Sequence, residues 1–168
     1  MGKKRGSGSV AGSTPATVAL TKAGISFEIR SYAHDPSVTD FGGEAAAALG
    51  VEASLVFKTL LAEVDGVLAV GIVPVSGRLD LKALASALGG RRASMADPAV
   101  AERRTGYVVG GISPLGQRTR LRTVLDESAL EHDAVLVSGG RRGLDIELAP
   151  HDLVRATDAI VAVISRAA

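Results

Sequence analysis

The stretch "LVFKTLLAEV", residues 55–64, decides how this chain is read. A short apolar run of this kind predicts a buried strand, yet Lys58 stands in its middle. Alternation puts Leu55, Phe57, Thr59 and Leu61 on one face and Val56, Lys58, Leu60 and Ala62 on the other. Desolvating an ammonium is costly unless a partner or a wet cavity compensates it. Lys58 therefore belongs either at an edge, where its chain reaches solvent, or in a cavity, where it holds a substrate.

Working outward, Asp65-Gly66 is the strongest hairpin signal in the chain, and "VLAVGIVPV" (67–75) is the second strand it joins. Upstream, "TPATVALTKAG" (14–24) predicts a helix with Thr14 as N-cap, Pro15 at its first position and Gly24 as its stop. "ISFEIRSY" (25–32) alternates as a strand, and Asp40 caps an alanine-rich helix that ends at Gly50. Downstream, helices are expected from about Asp80 and after Asp97, short strands at 119–125, 134–138 and 143–148, and helix over 150–164. Strands joined partly by a hairpin and partly by helices argue a mixed sheet. The expected fold is α+β: a single domain over 14–168 with a curved, barrel-like mixed β-sheet flanked by helices. Residues 1–13, rich in Gly and Ser, are expected to be a disordered tail.

The chain of 168 residues is 46% apolar and 22% charged, enough for a core that needs no staples. Cysteine is absent, which excludes disulfides, thiolate metal sites and a cysteine nucleophile in the protein. No signal-like or long apolar segment occurs, so a cytoplasmic protein with no membrane partner is expected. Three of the 19 basic residues lie in the opening segment, and the rest are outnumbered by 18 acidic ones. Global charge thus gives no argument for nucleic acid. Local charge does: the arginine doublets at 91–92, 103–104 and 141–142 and the run "RTRLR" at 118–122 suit phosphate, because the guanidinium fork binds two oxygens at once. The same pattern also fits an ordinary solvated surface.

"GYVVGGISPLG" (106–116) is dense in glycine, which permits close backbone approach, so successive N–H groups can converge on a ligand oxygen. It is neither a dinucleotide fingerprint nor a Walker loop. "VSGGRRGLDIEL" (137–148) joins two strands by a glycine-arginine turn, with Ser138 before it and Asp145 after it. Ser138 lacks the nucleophile-elbow pattern. No H-x-x-x-H or H-E pair occurs among the three histidines, so neither a metal nor another cofactor is expected.

Taken together, "TPA" (14–16), "YAHDP" (32–36), "FGGEAAAALG" (41–50), "VFKTLL" (56–61), "MADPAVAERRTGYVVGGISPLGQ" (95–117) and "VSGGRRGLDIELAPHDL" (137–153) resemble the YbaK/EbsC family of aminoacyl-tRNA deacylases. The likeness is colinear over about residues 14–165. It implies a freestanding relative of the editing insertion of bacterial prolyl-tRNA synthetase, which removes a wrongly attached amino acid from tRNA. The glycine loop and the Ser-Gly-Gly turn look closer to the branch that clears cysteine from tRNA(Pro) than to the alanine-specific one. Carried over by position, the resemblance implies Lys58, Gly110 and Asp145 as the catalytic set. It likewise implies Tyr32, Phe41, Thr59, Gly111, Ile112, Pro114 and Ser138 as substrate-binding residues.

In the cysteine branch the resemblance implies that the substrate's own thiol attacks the ester. The backbone N–H groups of Gly110 and Gly111 would line the aminoacyl site, and mischarged tRNA and prolyl-tRNA synthetase would be the partners. Thr59 beside Lys58 is a puzzle, because strict alternation points the two apart. Other readings are an alanine-specific deacylase, a non-catalytic tRNA- or synthetase-binding module, and, more remotely, an esterase using Ser138.

Overall fold

The computed structural model describes residues 13–168, so the expectation of a disordered tail falls, but for Ser13, outside the described residues. Helix α1 (Pro15–Ala23) starts at a reciprocal cap, the Thr17 N–H donating to Thr14 Oγ1 at 3.2 Å and the Thr14 N–H to Thr17 Oγ1 at 2.9 Å. Helix α2 (Phe41–Leu49) is capped by Asp40, α3 (Leu81–Ala87) by Asp80 and α4 (Pro98–Thr105) by Asp97, each carboxylate accepting a backbone N–H of the first turn. The sequence predicts Thr14, Asp40 and Asp97 as caps and a helix starting near Asp80.

Strands β2 (Phe57–Val64) and β3 (Val67–Pro74) form the expected hairpin, with Asp65 and Gly66 both at positive φ. They sit in a five-stranded mixed sheet with β5 (Ala93–Met95), β6 (Arg122–Asp126) and β9 (Ile160–Ala162), in the order β5-β2-β3-β6-β9. β6 runs parallel to both β3 and β9; the other pairs are antiparallel. A three-stranded antiparallel sheet is formed by β1 (Glu28–Ser31), β8 (Leu144–Leu148) and β7 (Val135–Arg141). The last pair is β4 (Gly77–Leu79) with β10 (Ser165–Ala167).

The α+β class with a mixed sheet and flanking helices holds, but the barrel-like curl does not. The large sheet ends on β5 and β9, which do not pair with each other, and the remaining strands form two separate sheets. Both end strands have only three residues, too few to carry a ladder round to closure. The helix expected over 150–164 is also shorter than predicted. Helix α5 (Pro150–Thr157) stops at Asp158 in the left-handed region, and the β-branched stretch beyond it joins β6 in parallel.

Alternation along β2 holds as a statement about packing. Phe57 and Leu61 enter a core shared with Leu20 of α1, Ile72, Val137 and Ile146. Leu60 and Ala62 face a second cluster with Val73, Val124 and Leu84 of α3. Among the described residues no helix is long and apolar enough to cross a membrane.

Candidate functional site

At Val56 the chain forms a parallel bridge to Leu136 of β7, and from Ala62 to Val64 β2 is paired with β5. Between these anchors β2 is bonded to β3 on one side and, among the described residues, to no strand on the other. A cleft of about 360 Å³ opens against this gap. Every residue from Val56 to Leu61 lines it, a contiguous run that a strand face, showing alternate residues only, would not supply. The cleft meets β2 edge-on. Lys58 and Thr59 therefore share one site without any violation of alternation, which removes the puzzle of their adjacency.

The opposite walls come from three places. β7 and β8 bring Ser138 and Asp145, which are paired across the ladder. Tyr32, just after β1, and Phe41, at the start of α2, close one end. Val109, Gly110 and Ile112 of the glycine loop form the remaining side, together with Met95, Pro98 and Ala101.

Asp145 is 5% exposed, and burial pushes its carboxyl up to about 7 despite the opposing charge of Arg30. Burial, then the Asp145 charge, pushes the Tyr32 phenol up to about 12. Thr59 Oγ1 is buried and has no hydrogen-bond partner among the described residues. A buried hydroxyl without a partner, on a residue that lines the cleft, is an exception that calls for an explanation. Ser138 Oγ accepts the Gly140 N–H at 3.3 Å and has no imidazole partner among the described residues, which leaves it without the base an esterase serine requires.

The glycine loop is held by its neighbours. Tyr107 Oη donates to the Leu115 carbonyl at 2.6 Å, and the Val109 N–H donates to Glu102 Oε2 at 2.8 Å. Gly110 has φ +90°, and a Cβ there would lie 2.8 Å from the Phe41 ring and 2.9 Å from Arg142 Nε, so glycine is required on both counts. Gly111 packs so tightly on the Arg141 backbone that a Cβ would come within 2.6 Å of its Cα.

Two of the residues implied by the resemblance fall outside the cleft lining. The Gly111 N–H is spent on the Val108 carbonyl at 2.8 Å, so it is no free donor, and Pro114 is buried behind the loop. Lys58, Gly110, Asp145, Tyr32, Phe41, Thr59, Ile112 and Ser138 all line the cleft.

Sequence reasoning missed Arg142. Its guanidinium lies 4.8 Å from the centroid of the Phe41 ring, and its Nε donates to the Val109 carbonyl at 2.9 Å. Phe41 in turn packs against His34, whose Nδ1 is 2.7 Å from Glu44 Oε1. Hydrogen bonds, from the Asp35 N–H and then from His34, hold the Glu44 carboxyl below its ordinary range. The sequence places Arg142 in a phosphate-suited doublet and in the glycine-arginine turn, but its packing on the cleft-lining Phe41 and Val109 rests on contacts more than thirty residues apart.

Residues 35–156 match the family described as the aminoacyl-tRNA editing domain. EbsC of Enterococcus faecalis, a candidate Cys-tRNA(Pro)/Cys-tRNA(Cys) deacylase, is 39% identical over 114 residues, which cover 67% of this chain and 70% of that protein. The multifunctional Ser/Thr-tRNA deacylase ProXp-y of Escherichia coli is 34% identical over 85 residues, 50% of this chain and 51% of that protein. A crystal structure of a candidate trans-editing enzyme for prolyl-tRNA synthetase superposes with a TM-score of 0.81 at 28% identity, covering 95% of this chain and 99% of that one.

Proposed function

The chain belongs to the aminoacyl-tRNA editing domain family, and on that premise we propose that it is a trans-editing deacylase that removes cysteine from mischarged tRNA(Pro). The observation that carries the reading is the gap in the pairing of β2, where Lys58, Thr59, Asp145 and Gly110 border one cleft. The similarity to EbsC supports cysteine as the amino acid removed.

An aminoacyl ester is already activated, so the protein has to position a nucleophile and stabilise an oxyanion. In the proposed reaction the cysteinyl thiol attacks its own carbonyl carbon. The sulfur–carbon bond forms, the bond from that carbon to the ribose oxygen breaks, and the thiol proton ends on the leaving oxygen. The products are a cyclic thiolactone and free tRNA. Holding the thiol in a near-attack geometry can supply up to roughly 7–11 kcal/mol of the barrier.

Gly110 is the loop glycine suited to donate its N–H to the oxyanion, since that of Gly111 is engaged by Val108. One such donor is worth about 3–4 kcal/mol. Asp145, whose carboxyl titrates at about 7, is suited to relay the thiol proton at neutral pH. Lys58 places positive charge beside the ester, and the unpaired hydroxyl of Thr59 offers the substrate a hydrogen bond. Correctly charged prolyl-tRNA escapes because proline has no thiol with which to cyclise. Prolyl-tRNA synthetase is the proposed working partner, in the cytoplasm, on the strength of the similarity to the trans-editing enzyme structure.

The test is to incubate the protein with Cys-tRNA(Pro), Ala-tRNA(Pro) and an S-alkylated Cys-tRNA(Pro) and follow loss of the amino acid. Clearance of the first alone is expected. Preferential loss of alanine would move the assignment to the alanine-specific branch, and turnover of the S-alkylated ester would rule out attack by the substrate thiol.

A further inference from the structure

The fold divides the arginine doublets into two groups. Arg91 and Arg92 stand at the β2–β3 turn, where their N–H groups donate to the Asp65 carboxylate at 3.0 Å. That turn is at the far end of β2 from Lys58, roughly 20 Å away at about 3.3 Å per residue. Arg122 donates to the Leu88 carbonyl at 2.9 Å, and Arg120 lies 3.9 Å from Asp158. None of these four borders the cleft.

Arg103, Arg104, Arg118, Arg141 and Arg142 are placed otherwise. The Arg118 N–H donates to the Thr105 carbonyl at 2.9 Å and the Thr119 N–H to that of Arg104 at 3.0 Å, so segment 118–119 lies against the end of α4. Arg118 also packs on Gly106, at the start of the glycine loop. At the other end of the same loop, Gly111 packs on Arg141, and Arg142 bonds Val109 and covers Phe41. The loop from Gly106 to Gly110 thus links the two groups, over at most about 14 Å of extended chain.

All five side chains are exposed, and among the described residues none has a carboxylate within ion-pair distance. The nearby acid in sequence, Glu102, is occupied by the Val109 N–H. Placement at a helix C-terminus explains Arg103 and Arg104 through the helix dipole, but not the other three.

We propose that these five arginines form a phosphate track, leading from Arg142, which packs on the cleft-lining Phe41, along the glycine loop to Arg103, Arg104 and Arg118, that binds the backbone of the RNA strand whose end enters the cleft. The proposal rests on the tRNA reading above and adds where the RNA lies. With about one charge per 3.4 Å of a stacked strand, the span of this loop matches at most about four phosphates. Arginine forks suit that task because they contact two phosphate oxygens at once.

The experiment measures binding of an uncharged hairpin RNA that reproduces an acceptor stem with its single-stranded 3′ end, as a function of salt. Arg103→Gln, Arg104→Gln and Arg118→Gln combined should weaken binding at least tenfold at low salt and reduce the slope of log K against log salt by about 2. Arg91→Gln with Arg92→Gln should leave both unchanged. Thermal melts of both variants establish that each is folded, and an Arg→Lys triple variant should recover most of the salt slope. A triple Gln variant that is folded and binds like the wild type would overturn the track, as would an equal loss at Arg91 and Arg92. Because the RNA carries no amino acid, absence of deacylation would sink the proposed activity while leaving this binding result intact.

Discussion

Ala62, Glu63 and Val64 of β2 are paired on both sides, to β3 and to β5, whereas Lys58, Thr59 and Leu60 in the same strand have β3 on one side and the cleft on the other. Where two neighbours are present only the faces of a strand are accessible, and Ala62 and Val64 are buried core. Where one neighbour is missing, consecutive residues reach one space. A charged residue in an apolar strand thus needs no buried partner, because the open edge supplies the site. In this protein the catalytic candidates gather where β2, fully paired to β3, lacks a neighbour on its other edge.

The largest effects should separate the two halves of the strand. Lys58→Ala is expected to lower kcat/KM on the cysteinyl-tRNA by at least about 10²-fold, the scale of a lost electrostatic contact in a transition state, with little change in melting temperature. Ala62→Leu should do the reverse, overfilling a packed site at a cost of about 1–3 kcal/mol while the folded fraction keeps its activity. Loss of stability in the Lys58 variant with unchanged kcat/KM would break the distinction.

Asp145 sharpens the comparison through pH. Its carboxyl is pushed from 3.8 up to about 7 in the folded protein, so the native state binds the proton more tightly than the unfolded chain. Its contribution to stability is complete below about pH 4 and is lost as pH rises through about 7. Asp145→Asn removes that loss, and urea denaturation should find the variant more stable than wild type at pH 8 by the order of 2–4 kcal/mol, with the advantage shrinking toward pH 4. The same variant should lose the pH dependence of turnover near neutrality. Equal stability differences at both pH values would show that the carboxyl is not desolvated.

The smallest effect concerns Thr59. Thr59→Val keeps the shape and deletes the unpartnered hydroxyl, so stability should hold or rise by up to about 1 kcal/mol while KM rises a few-fold. A loss of more than about 1 kcal/mol would mean that the hydroxyl is satisfied in the free protein.

Much of the local structure could be read from residues. Thr14, Asp40, Asp80 and Asp97 announce four helices because a cap is a contact within one turn, and Asp65-Gly66 announces its hairpin for the same reason. The segment after Asp158 could not be read in this way. Its β-branched residues also fit a buried helix, and only the edge of β6 decides that they extend. Gly111 and Pro114 sit in the motif that carries the resemblance, yet neither lines the cleft: the Gly111 N–H donates to the Val108 carbonyl and the proline is buried.

By itself the sequence determined that a lysine lies within an apolar strand, that a glycine loop and a Ser-Gly-Gly turn accompany it, and that the three belong to one family pattern. The tertiary structure alone decided that the lysine is at an open edge, that a desolvated Asp145 lines the same cleft, and that Arg142 rather than Arg91 packs on residues of the cleft wall. The physical reason is that caps and turns are settled by neighbours in the chain. A gap in a sheet is defined by three distant segments, β5, β7 and the glycine loop, none of which carries a mark of the space between them.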